Sequence, residues 1–244
     1  MLELKGIRWK TPEGDEILKG VDLTVPKGKL TVVTGPNGGG KTSLAKIIAG
    51  LYTPDEGTIS LNGQDITSLD ITERAKGGIA YAFQQPVRFK GLTVRDLLNL
   101  SAEGTLPDSE ICRILGEVGL CANEYMNREA DSSLSGGESK RIEIATVLAR
   151  KNAQMLVFDE PEAGIDLWSF SNLINAFERL KNEGGRTLLV ISHQERIMEI
   201  ADCIAVVANG TVTEFGNKED ILPALLEKEK GCKCPLKTTK REGC

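Results

Sequence analysis

Apolar positions along the chain come in short runs separated by glycine, proline and polar turns, and their period switches between that of a strand and that of a helix. Leu30-Thr31-Val32-Val33 reads as a buried β-strand, and Leu44, Ile47, Ile48 and Leu51 fall at i, i+3, i+4 and i+7, one face of a helix. Before them, residues 2–25 look like β-structure. Val21, Leu23 and Val25 alternate, Glu13-Gly14-Asp15 marks a turn, and Trp9 is placed in a loop ahead of it. Thr53-Pro54-Asp55-Glu56-Gly57 is a turn, and Ile59 and Leu61 alternate toward Asn62-Gly63, a hairpin signal. Residues 78–83 form another strand, which runs into Gln84-Gln85-Pro86.

Between residues 93 and 120 the period turns helical: Val94, Leu97 and Leu98, then Ile111, Leu115 and Val118. Residues 104–107 divide the two pieces, and Pro107-Asp108-Ser109-Glu110 suits a helix start. After Leu134-Ser135-Gly136-Gly137-Glu138 comes a helix with Ile142, Ala145, Leu148 and Ala149 on one face. Met155-Leu156-Val157-Phe158 is continuous and apolar, fit for a parallel strand, and ends in Asp159-Glu160. Thr187–Ile191 is another such strand, ending in Ser192-His193, and residues 203–207 and 211–215 flank Asn209-Gly210 as a final hairpin. Strands alternating with helices predict an α/β domain over residues 1–226 with a helical subdomain inserted at 85–133. Residues 227–244, lysine-rich and cysteine-bearing, read as a loose C-terminal tail.

Composition narrows the class. Of 244 residues, 40% are hydrophobic and 27% charged, which suits a soluble globular protein. A net charge of −5 argues against a nucleic-acid partner, which would favour a basic face. No apolar run approaches about 18 residues, so no membrane span is expected. Met1-Leu2-Glu3-Leu4-Lys5 lacks the basic-then-apolar form of a signal peptide, and a cytoplasmic setting with reduced thiols is expected for the six cysteines.

The candidate chemistry centres on Gly35-Pro36-Asn37-Gly38-Gly39-Gly40-Lys41-Thr42, which fits G-x-x-x-x-G-K-[ST] between a strand and a helix. Glycines let several N–H groups converge as an anion nest, and the helix start adds its positive dipole end. Lys41 supplies charge for β- and γ-phosphates, and the Thr42 hydroxyl suits Mg²⁺. The plainer alternative is a glycine-rich turn without ligand. Asp159 and Glu160 close a buried strand, where α/β sheets place ligands. Asp159 would share Mg²⁺ with Thr42, and Glu160 would orient or deprotonate water, unless it merely ends the strand. Ser135 with Glu138 three residues on forms a capping box. That makes either a well-capped helix or a second anion site. Trp9 packs, or stacks on a purine. The lone His193 is structural by default.

These motifs together resemble the ABC (ATP-binding cassette) ATPases from about residue 2 to 225, with Leu134-Ser135-Gly136-Gly137-Glu138 as the family signature. The resemblance implies an α/β fold: a P-loop NTPase (RecA-like) parallel sheet core with an antiparallel β-subdomain and an inserted α-helical subdomain. It implies ATP hydrolysis with Mg²⁺. Nucleotide contacts would come from residues 35–43, Ser43 included, and from Trp9 stacked on adenine. Gln84 would sense the γ-phosphate through Mg²⁺ or water, Glu160 would be the catalytic glutamate, and His193 the γ-phosphate switch. Asp166 would sit in a dimer-contacting D-loop. It also implies an ATP-dependent head-to-tail homodimer, in which Ser135, Gly136, Gly137 and Glu138 of one copy cap the ATP of the other.

Within the family, Glu73-Arg74-Ala75, Ala82-Phe83-Gln84-Gln85-Pro86-Val87, Gly91-Leu92-Thr93-Val94 and Ser192-His193-Gln194-Glu195-Arg196-Ile197 resemble SufC, the ATPase of Suf iron–sulfur cluster assembly. That resemblance implies a SufB/SufD-like scaffold as partner. Pro161 departs toward transporter cassettes, for which the partner would be membrane-embedded transporter subunits of the importer type. The helical insertion and Pro86, Val87, Arg88 and Phe89 are the expected docking surface. Cys232-x-Cys234, with Cys244 beyond, resembles a soft-metal pair, but about four ligands are the norm and the thiols read as part of the tail.

Overall fold

The structure, a computed structural model, describes residues 1–87 and 89–231. Arg88 and the cysteines Cys232, Cys234 and Cys244 lie outside the described residues. The described cysteines Cys112, Cys121 and Cys203 are free thiols.

Two sheets form the frame. The first is antiparallel, in the order β2 (Glu16–Val25), β1 (Leu2–Lys10), β4 (Glu56–Leu61) and β5 (Gln64–Asp65). Asn62 and Gly63, both at positive φ, make the β4–β5 turn. The second sheet has the order β10 (Thr211–Asn217), β9 (Cys203–Ala208), β3 (Leu30–Thr34), β8 (Thr187–Ile191), β7 (Met155–Asp159) and β6 (Ile79–Ala82). All its pairings are parallel except β9–β10 at the edge.

The inner strands are apolar throughout because both faces are covered. Val32, Leu156, Phe158, Leu188 and Val190 face one core, shared with α3 (Val94–Ser101), α4 (Asp108–Glu117), α6 (Gly136–Ala149) and α7 (Leu167–Glu183). Val33, Met155, Val157, Leu189 and Ile191 face the other, shared with α1 (Lys41–Ala49) and the antiparallel sheet. The sheet therefore separates a helical side from a β-side. The expected fold class is the observed one.

Three expectations change in detail. Trp9 lies within β1 rather than in a loop, because the strand continues to Lys10 before the turn at Gly14. Leu51 lies beyond α1, which stops where Gly50 takes φ +81 and caps the last carbonyls. The last helix, α9 (Lys218–Gly231), runs past residue 226, so the first five residues assigned to the tail are helical.

β3 has β8 on one side and β9 on the other: from β3 the chain passes to β6 at the far edge, returns through β7 and β8, and then crosses to β9 on the opposite side. The carboxyl end of such a strand opens a crevice, the place where open α/β sheets take ligands.

Candidate active site

Residues 35–40 fill the turn from β3 into α1. Gly35 holds φ +130, and a Cβ there would come within 2.1 Å of the Val207 carbonyl oxygen in β9. Only glycine lets the loop lie so close to the neighbouring strand. The Gly210 N–H donates to the Gly39 carbonyl (3.1 Å), so the β9–β10 hairpin supports the loop from outside. Gly40 starts α1 at φ +102 with no side-chain cap, which leaves the first helical N–H groups to a ligand. The buried Lys41 ammonium donates to the carbonyls of Gly35 (2.8 Å) and Pro36 (2.9 Å). Burial draws its pKa down, opposed by the charges of Glu160 and Asp159. A cleft of about 460 Å³ opens over the loop, lined by residues 37–43 and by Ile17, Gln84 and Glu160.

Asp159, the last residue of β7, is wholly buried. Thr42 Oγ1 donates to one of its oxygens (3.3 Å) and the Tyr81 hydroxyl to the other (3.0 Å). Burial raises its pKa against these two bonds, and the same burial with the facing carboxylate pushes the Tyr81 phenol up. Next in the chain, Glu160 adopts φ +46, a left-handed conformation that costs a non-glycine residue on the order of 1 kcal/mol. Its N–H donates to the Ile191 carbonyl (3.0 Å), which ties the turn to the end of β8. Its carboxylate accepts from Gln84 Nε2 (2.8 Å). The structure thus brings Lys41, Thr42, Asp159, Glu160 and Gln84 together at one crevice.

Other expected residues stand elsewhere. Trp9 does not line the cleft; its ring stacks on Tyr52 at 4.4 Å between centroids and 6° between planes. His193, exposed after β8, is also outside the cleft lining. Its backbone N–H and the Ser192 hydroxyl (2.6 Å) both engage Glu162. Ser135 caps α6: its Oγ accepts the Glu138 N–H (3.2 Å), while the Glu138 carboxylate accepts the Ser135 N–H (2.7 Å). Glu138 also takes the Tyr125 hydroxyl, and these bonds hold its pKa down to about 2. Ser135 and Gly136 are exposed and do not line the chain's own cleft. A Cβ on Gly137 would lie 2.5 Å from the Gly164 carbonyl, so the α6 start sits directly on the loop before Asp166. Asp166 caps α7 by accepting the N–H groups of Trp168 and Ser169.

Ile17 and Tyr81 went unmarked in the sequence. Ile17 reaches the cleft from β2, across a sheet boundary, and no local pattern announces it. Tyr81 carried a signal, a phenol placed among small apolar residues in a buried strand, which calls for a hydrogen-bond partner.

The comparisons agree with this geometry. The family profile described as ABC transporter matches residues 18–163. An uncharacterized ABC transporter ATP-binding protein of Methanocaldococcus jannaschii is 38% identical over 214 residues, 84% of this chain and 85% of that protein. The sulfate/thiosulfate import ATP-binding protein of Synechocystis sp. is 37% identical over 207 residues, 84% of this chain, which spans 57% of that protein's length. In structure, the chain resembles the ATP-binding cassette MJ0796 in a dimeric post-hydrolysis state bound to ADP and Pi. The TM-score is 0.79 at 25% identity, covering 89% of this chain and 99% of that one. A phosphate loop under a crevice, an acidic pair at the adjoining strand end and these matches lead to one conclusion: the chain belongs to the ABC transporter family and is an ATP-hydrolysing cassette.

Proposed function

We propose that the chain is the ATP-hydrolysing motor subunit of an importer-type ABC transporter, acting at the cytoplasmic face on membrane-embedded subunits contributed by other chains. The observation that carries the partner class is the 37% identity to a sulfate/thiosulfate import ATP-binding protein. Among the described residues no helix is long and apolar enough to cross a membrane. In this reading the passage itself belongs to the partners. The relatives reported above are transporter cassettes and none carries a Suf name, so transport displaces the SufB/SufD-like scaffold expected from the SufC resemblance.

The residues take these roles. The N–H groups of residues 37–43 and the Lys41 ammonium hold the β- and γ-phosphates of ATP. Mg²⁺ fits the donors present: a hydroxyl from Thr42, one carboxylate from Asp159 and an amide from Gln84. This is a hard-oxygen set of the size that Mg²⁺ completes with phosphate oxygens and water. When bound, the ion neutralises charge on the phosphates. Glu160, held by Gln84, orients water and accepts its proton. His193 contacts the γ-phosphate, and Trp9 remains a candidate for the adenine face only if its stack on Tyr52 opens. A second copy completes the site: Ser135, Gly136 and Gly137 of one chain cover the nucleotide of the other, with Asp166 at the contact. ATP then joins the two copies and its hydrolysis releases them, a two-state element biased by ligand.

Affinity capture of the tagged chain from detergent-solubilised native extract with ATP tests the partner class. The expected prey is an integral membrane protein. Recovery of a soluble SufB- or SufD-like protein in its place would overturn the transport reading.

A further inference from the structure

Lys140 is among the most deeply buried side chains of the protein, at 1% exposure. Its ammonium donates to three backbone carbonyls: those of Phe83, Gln84 (3.3 Å) and Asp159 (3.1 Å). Three donors meet three acceptors, so the cation is satisfied without direct contact with a carboxylate. Burial draws its pKa down, and the charges of Glu143, Asp159, Glu162 and Glu160 hold it up. One turn further along α6, Glu143 Oε1 accepts the Phe83 N–H (2.9 Å).

Phe83 lies past the end of β6, and Asp159 is the last residue of β7. At these points the sheet stops supplying partners, yet buried backbone groups must find them. Helix α6 supplies them from the side. Both polar groups of the Phe83 backbone are held by α6 side chains. The carbonyls of Gln84 and Asp159, on two different strand exits, are held by a single ammonium. The side chain of Gln84 and that of Glu160, which follows Asp159, then meet at 2.8 Å. The neighbouring cation Arg141 points elsewhere, donating to the Gly119 carbonyl (3.0 Å) and Ser169 Oγ (2.6 Å).

A buried ammonium is an expensive way to fill space, since a methionine of similar length packs there with no desolvation cost. What methionine cannot do is bond three carbonyls from two loops. We propose that Lys140 is a positioning residue for ATP hydrolysis: by binding both strand exits it fixes Gln84 against Glu160, and it makes the Ser135-Gly136-Gly137 end of α6 a lever on that pair. The proposal rests on Glu160 and Gln84 serving hydrolysis. Through Lys140, a contact made at the exposed start of α6 acts on the chain's own cleft, although Ser135 does not line it.

The test uses the full chain with Lys140→Met, Lys140→Gln and, as control, Glu160→Gln. In Lys140→Met, kcat is expected to fall by about 10- to 100-fold, the scale of a misplaced catalytic group, with ATP affinity within about 2-fold of the unaltered chain. Lys140→Gln, which keeps amide donors, is expected between the two and serves where the methionine variant does not fold. In the unaltered chain the Phe83 amide is expected to exchange with solvent as slowly as those of β6, and faster in Lys140→Met while β3 stays protected. Unaltered turnover in either folded variant, loss of ATP affinity in step with kcat, or fast exchange of Phe83 in the unaltered chain would each overturn the proposal. Normal hydrolysis by Glu160→Gln would instead strike the role of Glu160 itself.

Discussion

Glu143 shows how a single carboxyl can set a pH dependence without touching substrate. Burial pushes its pKa up to about 7, against the opposing effects of the Phe83 N–H and Lys140. Unfolded, it titrates near 4.5. Between those values the folded chain keeps a proton that the unfolded chain has released, so stability falls as pH rises through the window and the loss is complete above about 7. The full difference is on the order of 3 kcal/mol. Glu143→Gln is therefore expected to melt above the unaltered chain at pH 8 and to match it near pH 4.5, as read by thermal unfolding at both values. The residues of the site divide by how local their roles are. Lys41, Thr42, Asp159 and Glu160 were legible because each is fixed by its own strand, turn or helix start. Lys140 and Ile17 were not, because each acts on a group far away in sequence, and Tyr81 announced its need of a hydrogen-bond partner without saying which one. Trp9 was placed in a loop because its strand runs past the last clear alternation. Its contact with Tyr52, 43 positions on, has no local sign.

Among the elements, α1 carries the phosphate loop, and its far end is held by Arg74. This buried guanidinium, on the short helix α2 (Ile71–Lys76), donates to the carbonyls of Ile47 (2.5 Å) and Ile48 (3.1 Å) at the end of α1. It also donates to those of Leu69 (2.9 Å) and Thr67 (2.9 Å). The cation complements the negative helix end and adds a charged donor to the Ile47 carbonyl, which also accepts the Gly50 N–H (3.1 Å). Arg74→Ala is expected to cost about 2–4 kcal/mol in urea unfolding, because a buried charge-assisted network is replaced by unsatisfied carbonyls. An unchanged midpoint would show that water replaces it freely. Glu73-Arg74-Ala75, part of the text that resembles SufC, holds the Arg74 clamp on α1. The helices and strands themselves were readable, since each carries its own period and its own stop signals. Their ends were less so. The end of α1 depends on the left-handed Gly50, while Leu51 kept the apolar spacing one residue too far. Ser135 with Glu138 was readable as a capping box from spacing alone, and the bonds are present. That cap satisfies the helix start within one chain, so an anion arriving there must compete with Glu138, whose depressed pKa keeps it charged.

At the scale of the whole molecule, the sheet gathers the phosphate loop and the acidic pair at one crevice, and in the proposed function the exposed start of α6 completes the site of a second copy. The parallel order that puts β3 at the switch point follows from alternating strands and helices, so the architecture was accessible from the sequence. The partner was not. A docking surface is defined by contacts that lie in another protein, and while stretches of the sequence resembled SufC, the relatives reported above bear the names of transporter cassettes. Gel filtration of Glu160→Gln with ATP is expected to show a dimer that ADP dissolves, since the nucleotide stays intact between the copies. The account stands most directly on the acidic pair at the end of β7. Steady-state ATP turnover by Glu160→Gln is expected to fall by at least about 100-fold, with ATP still bound, because the group that accepts the proton of water is gone. Turnover at the rate of the unaltered chain would contradict the assignment of hydrolysis to this crevice.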